Sequence, residues 1–355
     1  MNREMLRAKR VFAFALALTL ILPAGCTPAP AQAEPMAERT FFAMDTVMTL
    51  RLYEGGEDAL LEQAEDLVKQ LEALWSATDE NSEIYALNHG RSAGLSPETA
   101  DLLRTALGMC ERTDGALDIS IYPVLCAWGF TTGEYAVPDG ETVAALLAHV
   151  DYTQVLQDGT AAALPDGMEI DLGSIAKGST GWRLAHLLKQ SGVTAALLDL
   201  GGNIQTVGAK PDGSPWRIGI RDPEGGGNLG VVEAVDKAVI TSGGYERYFE
   251  QDGVRYWHIL DPKTGCPAHS GLISVTVVGD TNAAWGDAGA VCDALSTALF
   301  VMGREEAVSF WRTHRDEWGF ELILVEEDGS VTITEGLEDK FTLSQKNRTL
   351  AIAQP

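Results

Sequence analysis

Apolar side chains recur along this chain with two different periods, and each change of period marks a new element. Residues 57–75 carry them at helical spacing between acids, which predicts an amphipathic helix. The same spacing predicts a helix over 96–112, which Ser96 could cap, and a long helix from Ile175 to Gln190. Shorter helical patterns cover residues 82–88, 141–149, 286–302 and 304–313.

Alternation of apolar and polar residues predicts strands in much of the remaining chain. The first runs from Phe41 to Leu52, and the chain after residue 203 is especially rich in them. The predicted strands cover residues 41–52, 168–172, 195–200, 204–207, 216–221, 230–234, 238–241, 245–250, 255–259, 274–278, 320–325 and 331–334. Helices mixed with antiparallel returns indicate an α+β fold, with mixed and antiparallel sheets and flanking helices in a single domain over residues 40–355.

The N-terminus predicts export from the cell. A basic start precedes an apolar run over residues 11–22, which is shorter than an ordinary membrane span, and Pro23-Ala24-Gly25-Cys26 follows. Small residues before a cysteine resemble a bacterial lipoprotein cleavage box, although Leu22 lies one place further from the cysteine than usual. We expect a lipoprotein-type signal peptide over 1–25, a lipid on Cys26 and a flexible tether over 26–39. The expected location is extracytoplasmic, lipid-anchored to the bacterial cell membrane, and the alternative is an uncleaved anchor.

The net charge narrows the classes of partner. The formal charge is −25, and the first 25 residues carry four basic side chains against one acid, so the mature chain is near −28. A surface this acidic excludes nucleic acid as a partner, because nucleic-acid binding depends on basic side chains that neutralise phosphates. It does not exclude an anionic small molecule, since a local positive field can oppose the global one.

Four cysteines follow the signal segment: Cys110, Cys126, Cys266 and Cys292. They form no C-x-x-C pair, and the histidines are not spaced to complete a zinc site with them. We expect buried free thiols, and one disulfide outside the cell stays open as the alternative.

The segment from Ile170 to Gly178 carries the most chemical information. Asp171 closes an apolar run, small residues follow, and Lys177 stands near the start of a helix. Backbone N–H groups at a helix N-terminus, with a cation beside them, form a site for an anionic ligand. The pattern by itself leaves the identity of the anion open.

Two further patterns each allow a structural and a chemical interpretation. Asp293 and Thr297 lie four apart on a predicted helix and therefore share a face. Such a pair suits a hard divalent cation, but a capping aspartate beside a core threonine is the commoner arrangement. His258 stands at a strand end before a tight turn, where it could be packed and hydrogen-bonded or could act as a base.

Other short motifs match known signatures without the required context. Residues 225–230 satisfy G-x-G-x-x-G, but a strand follows where a dinucleotide fold needs a helix, so we expect a hairpin loop. Residues 174–177 and 263–265 satisfy the S-x-x-K and K-T-G motifs of penicillin-binding serine acylases. The second of these lies in a turn, and no S-x-N element separates the two. Lys177 also precedes its glycine, which is the reverse of a P-loop.

Eight blocks of sequence, in order, resemble the ApbE family, the FAD:protein FMN transferases, from about residue 40 to residue 310. The blocks are 43–46, 81–88, 115–130, 171–178, 201–203, 241–245, 258–265 and 293–298. Eight blocks in the family's order outweigh any single motif. The departures are modest: Ser174 stands where the family often has Gly or Ala, Cys292 where Ala is usual, and Leu117 in place of a common aromatic residue.

The resemblance implies a site for FAD and Mg²⁺. The residues implied to lie along FAD are Met44, Ala116, Leu117, Asp118, Asp171, Lys177 and Ile259. Asp293, Thr297 and the backbone carbonyl of Ser174 are implied to hold Mg²⁺, which favours the chemical interpretation of the Asp293–Thr297 pair. His258 and Lys177 are implied to be catalytic, His258 as the base for an acceptor hydroxyl and Lys177 as a cation on the pyrophosphate.

The expected reaction is the Mg²⁺-dependent transfer of FMN from FAD to a serine or threonine hydroxyl of an exported acceptor protein, with release of AMP. Family acceptors resemble D-x-x-S/T-G-A-S/T, and residues 261–267 of this chain miss that pattern at the last two positions. We therefore expect that the chain does not flavinylate itself. Two alternatives stay open, a pyrophosphatase that splits FAD into FMN and AMP and a flavin-binding lipoprotein without catalysis.

Overall fold

A computed structural model describes residues 34–282 and 286–355 of the 355-residue chain. The predicted signal peptide, Cys26 and the first part of the predicted tether lie outside the described residues. Residues Glu34–Pro355 form one compact unit. Across the described part of the chain, none of the helices combines the length and apolar character that a membrane crossing requires.

The helices agree closely with the periods of the sequence, except for one short helix at Tyr122–Ala127 that the sequence did not predict. Their bounds are α1 (Asp58–Trp75), α2 (Glu83–Gly90), α3 (Pro97–Arg112), α4 (Tyr122–Ala127), α5 (Gly140–Leu147), α6 (Gly173–Gln190), α7 (Ala288–Met302) and α8 (Arg304–Trp318). Short 3₁₀ turns cover Ile119–Ile121, Tyr152–Gln154 and Glu335–Leu337. Ser96 caps α3 as expected, because its side chain accepts a hydrogen bond from the Thr99 amide.

The strands are more numerous than the sequence predicts. Their bounds are β1 (Ala37–Ala43), β2 (Thr46–Glu54), β3 (Ser92–Gly94), β4 (Leu156–Asp158), β5 (Ala161–Ala163), β6 (Ala195–Leu200), β7 (Asn203–Val207), β8 (Trp216–Arg221), β9 (Asn228–Ala234), β10 (Lys237–Gly243), β11 (Tyr248–Gln251), β12 (Val254–Trp257), β13 (Leu260–Asp261), β14 (Cys266–Pro267), β15 (Leu272–Asp280), β16 (Phe320–Glu326), β17 (Val331–Thr334), β18 (Phe341–Leu343) and β19 (Leu350–Ala353).

A nine-stranded sheet organises the molecule, in the order β1-β2-β6-β7-β10-β15-β16-β17-β19. Its neighbours are antiparallel except for the last pair, β17 and β19, which is parallel. Smaller sheets accompany it, β18-β9-β8 and β3-β5-β4, together with the hairpins β11-β12 and β13-β14. The predicted α+β fold with mixed and antiparallel sheets is confirmed.

The alternation of side chains along the central strands supplies two cores, one on each face of the large sheet. Ile240, Val277 and Leu322 pack with the helices, in a cluster that includes much of α3 and α7. Val239 and Val278 belong to another cluster, with Trp216 and residues of β8 and β9. The sheet is therefore covered by helices on one face and by the β18-β9-β8 sheet on the other.

Two predicted strands are wrong in detail. The alternating run 41–52 is a hairpin, because Met44 and Asp45 form a two-residue turn with φ of 48° and 58°. A two-residue loop preserves the alternation of period two, and neither residue belongs to the Asn-Gly type that signals such a turn. Residues 168–172 form no strand in the described chain, because the backbone of Ile170 exchanges its hydrogen bonds with the Asn88 side chain. Helix α6 begins two residues earlier than expected.

The short motifs fall where their context predicts. Gly225, Gly226 and Gly227 lie in the loop between β8 and β9, all with positive φ, so this segment is a hairpin turn. The K-T-G segment lies in the turn between β13 and β14, not on an inner strand.

The described cysteines are free thiols, with Cys110 and Cys292 buried as expected. Cys126 is only partly buried, and Cys266 is exposed because its turn is at the surface.

Candidate functional site

A cleft of about 890 Å³ contains the side chains that the sequence singles out. Its walls come from the β1–β2 turn, residues 116–131, the first turns of α6, residues 245–247 and residues 258–262. All seven residues predicted to lie along FAD line this cleft: Met44, Ala116, Leu117, Asp118, Asp171, Lys177 and Ile259. A volume near the upper end of the range for ligand pockets suits a large cofactor. Their contact with FAD stays a prediction.

The N-terminus of α6 forms one wall of the cleft. The residue before the helix, Leu172, gives no side-chain cap, but the Asp171 carboxylate accepts a hydrogen bond from the Gly173 amide over 2.8 Å. Gly173, Ser174 and Lys177 all face the cleft. The helix dipole and the Lys177 ammonium therefore place positive charge where the sequence predicts an anion.

The pKa of Asp171 is raised by burial, and the Gly173 amide and Lys177 oppose that rise. Burial likewise raises the pKa of Asp118 against hydrogen bonds from Ser120 and Tyr152. Both oxygens of Asp118 are used within the protein, Oδ1 by the Ser120 amide at 2.8 Å and Oδ2 by the Tyr152 amide at 3.1 Å. The carboxylate of Asp118 thus shapes the wall formed by residues 116–121.

A side chain of helix α1 stabilises the turn at Met44 and Asp45. The Glu72 carboxylate accepts a hydrogen bond from the Met44 amide over 2.5 Å, and the Thr180 hydroxyl lies 3.7 Å from the Met44 sulfur. Left-handed backbone at two residues that are not glycine is costly and persists only where surrounding contacts support it. The contacts from Glu72 and α6 fix Met44 at the edge of the cleft.

Asp293 lies against the first turns of α6, not in the cleft lining. It is 4% exposed. Its Oδ2 accepts a hydrogen bond from the Gly178 amide at 2.8 Å and its Oδ1 accepts one from the Asn203 side chain at 3.0 Å. Burial raises the pKa of Asp293, and the nearby Lys177 is the largest opposing influence. Each carboxylate oxygen keeps a further lone pair, because an ionised carboxylate has about four acceptor positions.

The three predicted metal ligands lie on the two helices that cross, Ser174 on α6 and Asp293 and Thr297 on α7. The Gly178 amide, which donates to Asp293, lies four residues after Ser174 and would ordinarily serve the Ser174 carbonyl. Ser174 and Thr297 both line the cleft. Carboxylate, hydroxyl and carbonyl oxygens are the donors that Mg²⁺ accepts, so the residues fit this ion. In the described chain no three His, Cys, Asp or Glu side chains form a metal cluster, so a cation here depends on the other oxygens.

Two glycines allow this crossing. A Cβ on Gly178 would lie 2.1 Å from the Gly289 carbonyl oxygen, and a Cβ on Gly289 would lie 2.0 Å from the Gly178 carbonyl oxygen. Such distances are far below van der Waals contact, so the backbones can approach this closely only without side chains. The glycine pair therefore sets the distance between Asp293 and the N-terminal turns of α6.

His258 lines the cleft as a neutral side chain. Its Nδ1 lies 3.2 Å from the Arg247 carbonyl oxygen, and because a carbonyl only accepts, Nδ1 carries the proton. Nε2 is then an acceptor. Burial, together with the charges of Arg247 and Lys177, lowers the pKa of His258 to about 4. The ring is therefore available as a proton acceptor at neutral pH.

The structure adds charged residues that sequence reasoning missed. Arg221, Glu246 and Arg247 all line the cleft, and Arg247 forms a 3.2 Å ion pair with Asp45. Glu246 is exposed at its surface side, but desolvation by the cleft raises its pKa to about 7, against the opposing charge of Lys177. For Glu246 and Arg247 the signal available in the sequence was their place directly after the recognised block 241–245, and no block covers Arg221.

The α+β fold and the cleft together define a candidate enzyme for a phosphate-containing ligand, with cations, a helix N-terminus and hard oxygen donors in one place.

Comparison with known proteins extends this conclusion. The sequence profile described as the ApbE family matches residues 44–320. The chain is 36% identical over 305 residues to an FAD:protein FMN transferase of Treponema pallidum. This match covers 79% of this chain and 81% of that protein. It is 34% identical over 283 residues to one of Klebsiella pneumoniae, covering 77% and 84% respectively.

Solved structures agree with the sequence comparison. The crystal structure of the ApbE protein of Thermotoga maritima has a TM-score of 0.78 and 32% identity, over 86% of this chain and 98% of that one. The flavinyl transferase ApbE of Pseudomonas stutzeri, in its apo form, has a TM-score of 0.73 and 29% identity, over 86% and 96%. The chain belongs to the ApbE family. The resemblance found in the eight sequence blocks is thereby confirmed.

Proposed function

We propose that this chain is an enzyme that transfers FMN from FAD to a serine or threonine hydroxyl of an exported acceptor protein, with Mg²⁺, and releases AMP. The relatives named FAD:protein FMN transferase support the transfer of FMN. The observation that carries the finer proposal is the meeting, in one cleft, of Lys177, the α6 N-terminus, the Thr297 hydroxyl and a neutral His258. Asp293 supports this group from behind the wall.

The first step of the proposed reaction is the binding and orientation of FAD in the cleft. The apolar side chains of Met44, Leu117 and Ile259 offer a surface for the flavin, and all three line the cleft. Lys177 and the α6 N-terminus hold the pyrophosphate through charge and backbone N–H groups. Since these donors are fixed before the reaction, they stabilise the charge that develops on the phosphate oxygens without reorganising.

The residues that would hold Mg²⁺ are Asp293, Thr297 and the Ser174 carbonyl. When bound, the ion would withdraw charge from the pyrophosphate and so favour cleavage of the P–O bond. The protein's own contribution is to keep the three oxygen donors together through the close α6–α7 crossing.

Proton transfer falls to His258. In the transfer, the acceptor hydroxyl oxygen forms a bond to the FMN phosphorus, the bond from that phosphorus to the AMP oxygen breaks, and Nε2 of His258 takes the hydroxyl proton. The Arg247 carbonyl holds the required tautomer by accepting from Nδ1. Glu246 is the carboxylate in the cleft that could serve if His258 does not.

Flavin labelling tests the proposal. The protein is mixed with FAD, Mg²⁺ and an acceptor domain, and the acceptor should then show flavin fluorescence in a denaturing gel. Asp293→Ala should lower labelling by about 100-fold or more, because a buried ligand to the ion is lost. The matched control is Asp101→Ala, which removes an exposed acid on α3 that forms an ion pair with Arg104, and it should label as the wild type does. Full labelling by Asp293→Ala would show that the metal assignment is wrong.

The same reaction separates the alternatives. A pyrophosphatase would release AMP without an acceptor, at a rate that matches any transfer. A flavin-binding lipoprotein would bind FAD and never turn it over. Transfer to the acceptor that is much faster than AMP release without it would support the transferase.

The turn containing Thr264 allows a further check. Thr264 is exposed, and its amide donates to the Asp261 carbonyl over 3.1 Å in a tight turn. Because its sequence departs from the acceptor pattern, we expect no FMN on Thr264 after incubation with FAD and Mg²⁺. A mass increase of FMN at this residue in a peptide digest would overturn that expectation.

Attachment to the membrane is proposed from the sequence of the first 26 residues alone. If Cys26 carries the lipid, Cys26→Ser should move the protein from the membrane fraction to the soluble extracytoplasmic fraction. An unchanged distribution would favour an uncleaved anchor.

A further inference from the structure

A chain of hydroxyl groups connects strand β10 to helix α7 beside the cleft. The Ser242 hydroxyl at the end of β10 lies 2.8 Å from the Ser296 hydroxyl and 3.3 Å from the Thr297 hydroxyl. The Ser296 hydroxyl in turn donates to the backbone carbonyl of Asp293 over 2.8 Å. Three hydroxyls thus form one hydrogen-bonded series, and the last of them belongs to a predicted metal ligand.

The number of hydroxyl protons fixes which group is the donor and which is the acceptor in each of these contacts. A hydroxyl carries one proton, and a carbonyl oxygen only accepts, so the proton of Ser296 is used on Asp293. Ser296 must therefore accept from Ser242, which uses the proton of Ser242. In the contact between Ser242 and Thr297, Thr297 is then the donor. Its proton points to Ser242, and among the described residues no donor uses the lone pairs of its oxygen.

Thr297 lines the cleft, whereas Ser242 is partly buried and is not among the residues that line the cleft in the described chain. Any effect of Ser242 on a ligand is therefore indirect, and its contact with Thr297 is the one that reaches a residue of the cleft lining. A cation needs a lone pair from a hydroxyl ligand, and a proton pointing at the ion would oppose binding.

We propose that Ser242 is a positioning residue, which holds the Thr297 hydroxyl with its proton turned away from the cleft and its oxygen presented to a divalent cation. This inference rests on the proposed metal-dependent function. It assigns to the 241–245 block a role in cation binding, through a side chain that itself touches neither the ion nor the substrate.

Binding of Mn²⁺ alone to the purified protein tests the inference. The loss of the free-ion signal in electron paramagnetic resonance measures this binding. Ser242→Ala should weaken Mn²⁺ binding by about tenfold, because the Thr297 hydroxyl loses the acceptor that orients its proton. Thr297→Val should weaken binding at least as much. In the double variant Ser242→Ala/Thr297→Val, the loss should equal that of Thr297→Val alone, because the two residues act as one unit.

The matched control is Thr334→Val. Thr334 is a buried hydroxyl of the same large sheet that accepts from the Leu322 amide over 2.8 Å and lies outside the cleft lining. Thr334→Val should change the free energy of unfolding without changing the affinity for Mn²⁺. In steady-state assays, Ser242→Ala should raise the Mg²⁺ concentration for half-maximal rate and leave the FAD KM unchanged.

The outcomes separate this inference from the function on which it rests. Wild-type Mn²⁺ affinity in Ser242→Ala, with binding lost in Asp293→Ala, would overturn the role of Ser242 and leave the metal site standing. An effect of Ser242→Ala that persists undiminished in the Thr297→Val background would also overturn it. Wild-type affinity in both Asp293→Ala and Thr297→Val would overturn the metal site and the inference together.

Discussion

At the scale of single residues, surroundings decide what the polar side chains of the cleft can do. His258 is neutral because its ring is enclosed and lies near Arg247 and Lys177. Glu246, twelve residues earlier in the sequence, has a pKa of about 7 because the cleft desolvates its carboxylate. Ordinary values for the two side chains are in the reverse order, about 6.5 for histidine and 4.3 for glutamate. The cleft therefore makes a weaker base of the histidine and a stronger one of the carboxylate.

His258 should make stability depend on pH in a defined window. Its pKa is about 4 in the folded protein, against an ordinary value near 6.5 when unfolded. Between these values the unfolded chain binds the proton and the folded chain does not, so the free energy of unfolding falls as pH decreases from 6.5 to 4. By pH 5 this loss should reach up to about 2 kcal/mol.

Urea unfolding of the wild type and His258→Asn at pH 7.5 and pH 5.0 measures this loss. The variant cannot titrate at position 258, so it should lose less stability than the wild type between the two pH values. Other titrating groups cancel in the comparison. An equal loss in both proteins would show that His258 is not held neutral in the folded state.

At the scale of elements, the crossing of α6 and α7 positions the site. Gly178 and Gly289 bring the two backbones together, and Asp293 accepts from the Gly178 amide at the same point. The third element is β10, whose Ser242 reaches Thr297. The geometry of the donors therefore depends on packing between elements more than on any loop.

Gly178→Ala should damage both stability and cation binding. The added methyl would meet the Gly289 carbonyl at 2.1 Å, so α7 must shift, at a cost of about 1–3 kcal/mol or more. Gly181→Ala is a control in the same helix, since its nearest contact would be an ordinary 3.5 Å to Gln205. That variant should be neutral or more stable by up to about 1 kcal/mol, because alanine favours a helix over glycine.

Thermal unfolding and Mn²⁺ binding of the two glycine variants provide the comparison. Gly178→Ala is expected to lose affinity for the ion as well as stability, while Gly181→Ala keeps both. Equal behaviour of the two variants would show that the crossing is not tight at Gly178.

At the scale of the whole molecule, contacts distant in sequence complete the fold. Arg348, 5% exposed at its side chain, forms 2.6 Å ion pairs with Asp222 and Glu224 and so ties the C-terminal segment to the loop after β8. Strand β19 then closes the large sheet as the parallel partner of β17. The overall charge of −25 extends into the cleft, whose lining has six acidic side chains beside Lys177, Arg221 and Arg247. The positive field that an anionic ligand meets is therefore local to Lys177 and the N-terminus of α6.

Arg348→Met should cost about 3–5 kcal/mol of the free energy of unfolding, because it leaves the buried Asp222 carboxylate without its partner. Arg255→Met removes an exposed ion pair with Glu250 and should cost no more than about 1 kcal/mol. Urea denaturation of the two variants measures the difference. Similar losses in both would mean that solvent reaches the Arg348 pair.

Local periodicity was sufficient for most elements, and the resemblance of the eight ordered sequence blocks was sufficient for the family. Helices α1 and α3 and strand β6 lie within a residue of their predicted bounds, because their patterns span whole turns or pleats. The hairpin at Met44 and Asp45 was missed because its turn depends on left-handed backbone that contacts from Glu72 and α6 support. The short strands β3, β4 and β5 have too few residues to show a period.

The sequence by itself determined the α+β class, the helices other than α4, the family and the predicted FAD-binding residues that line the cleft, because each is encoded in short runs or ordered blocks. Only the tertiary structure decided that Asp293 lies behind the cleft wall, that Glu246 and Arg247 belong to the site, and that Ser242 orients Thr297. The physical reason is distance along the chain. Ser242 and Thr297 are 55 residues apart, and no local pattern records which hydroxyl will accept from which. That choice is made when α7 packs against β10 and α6.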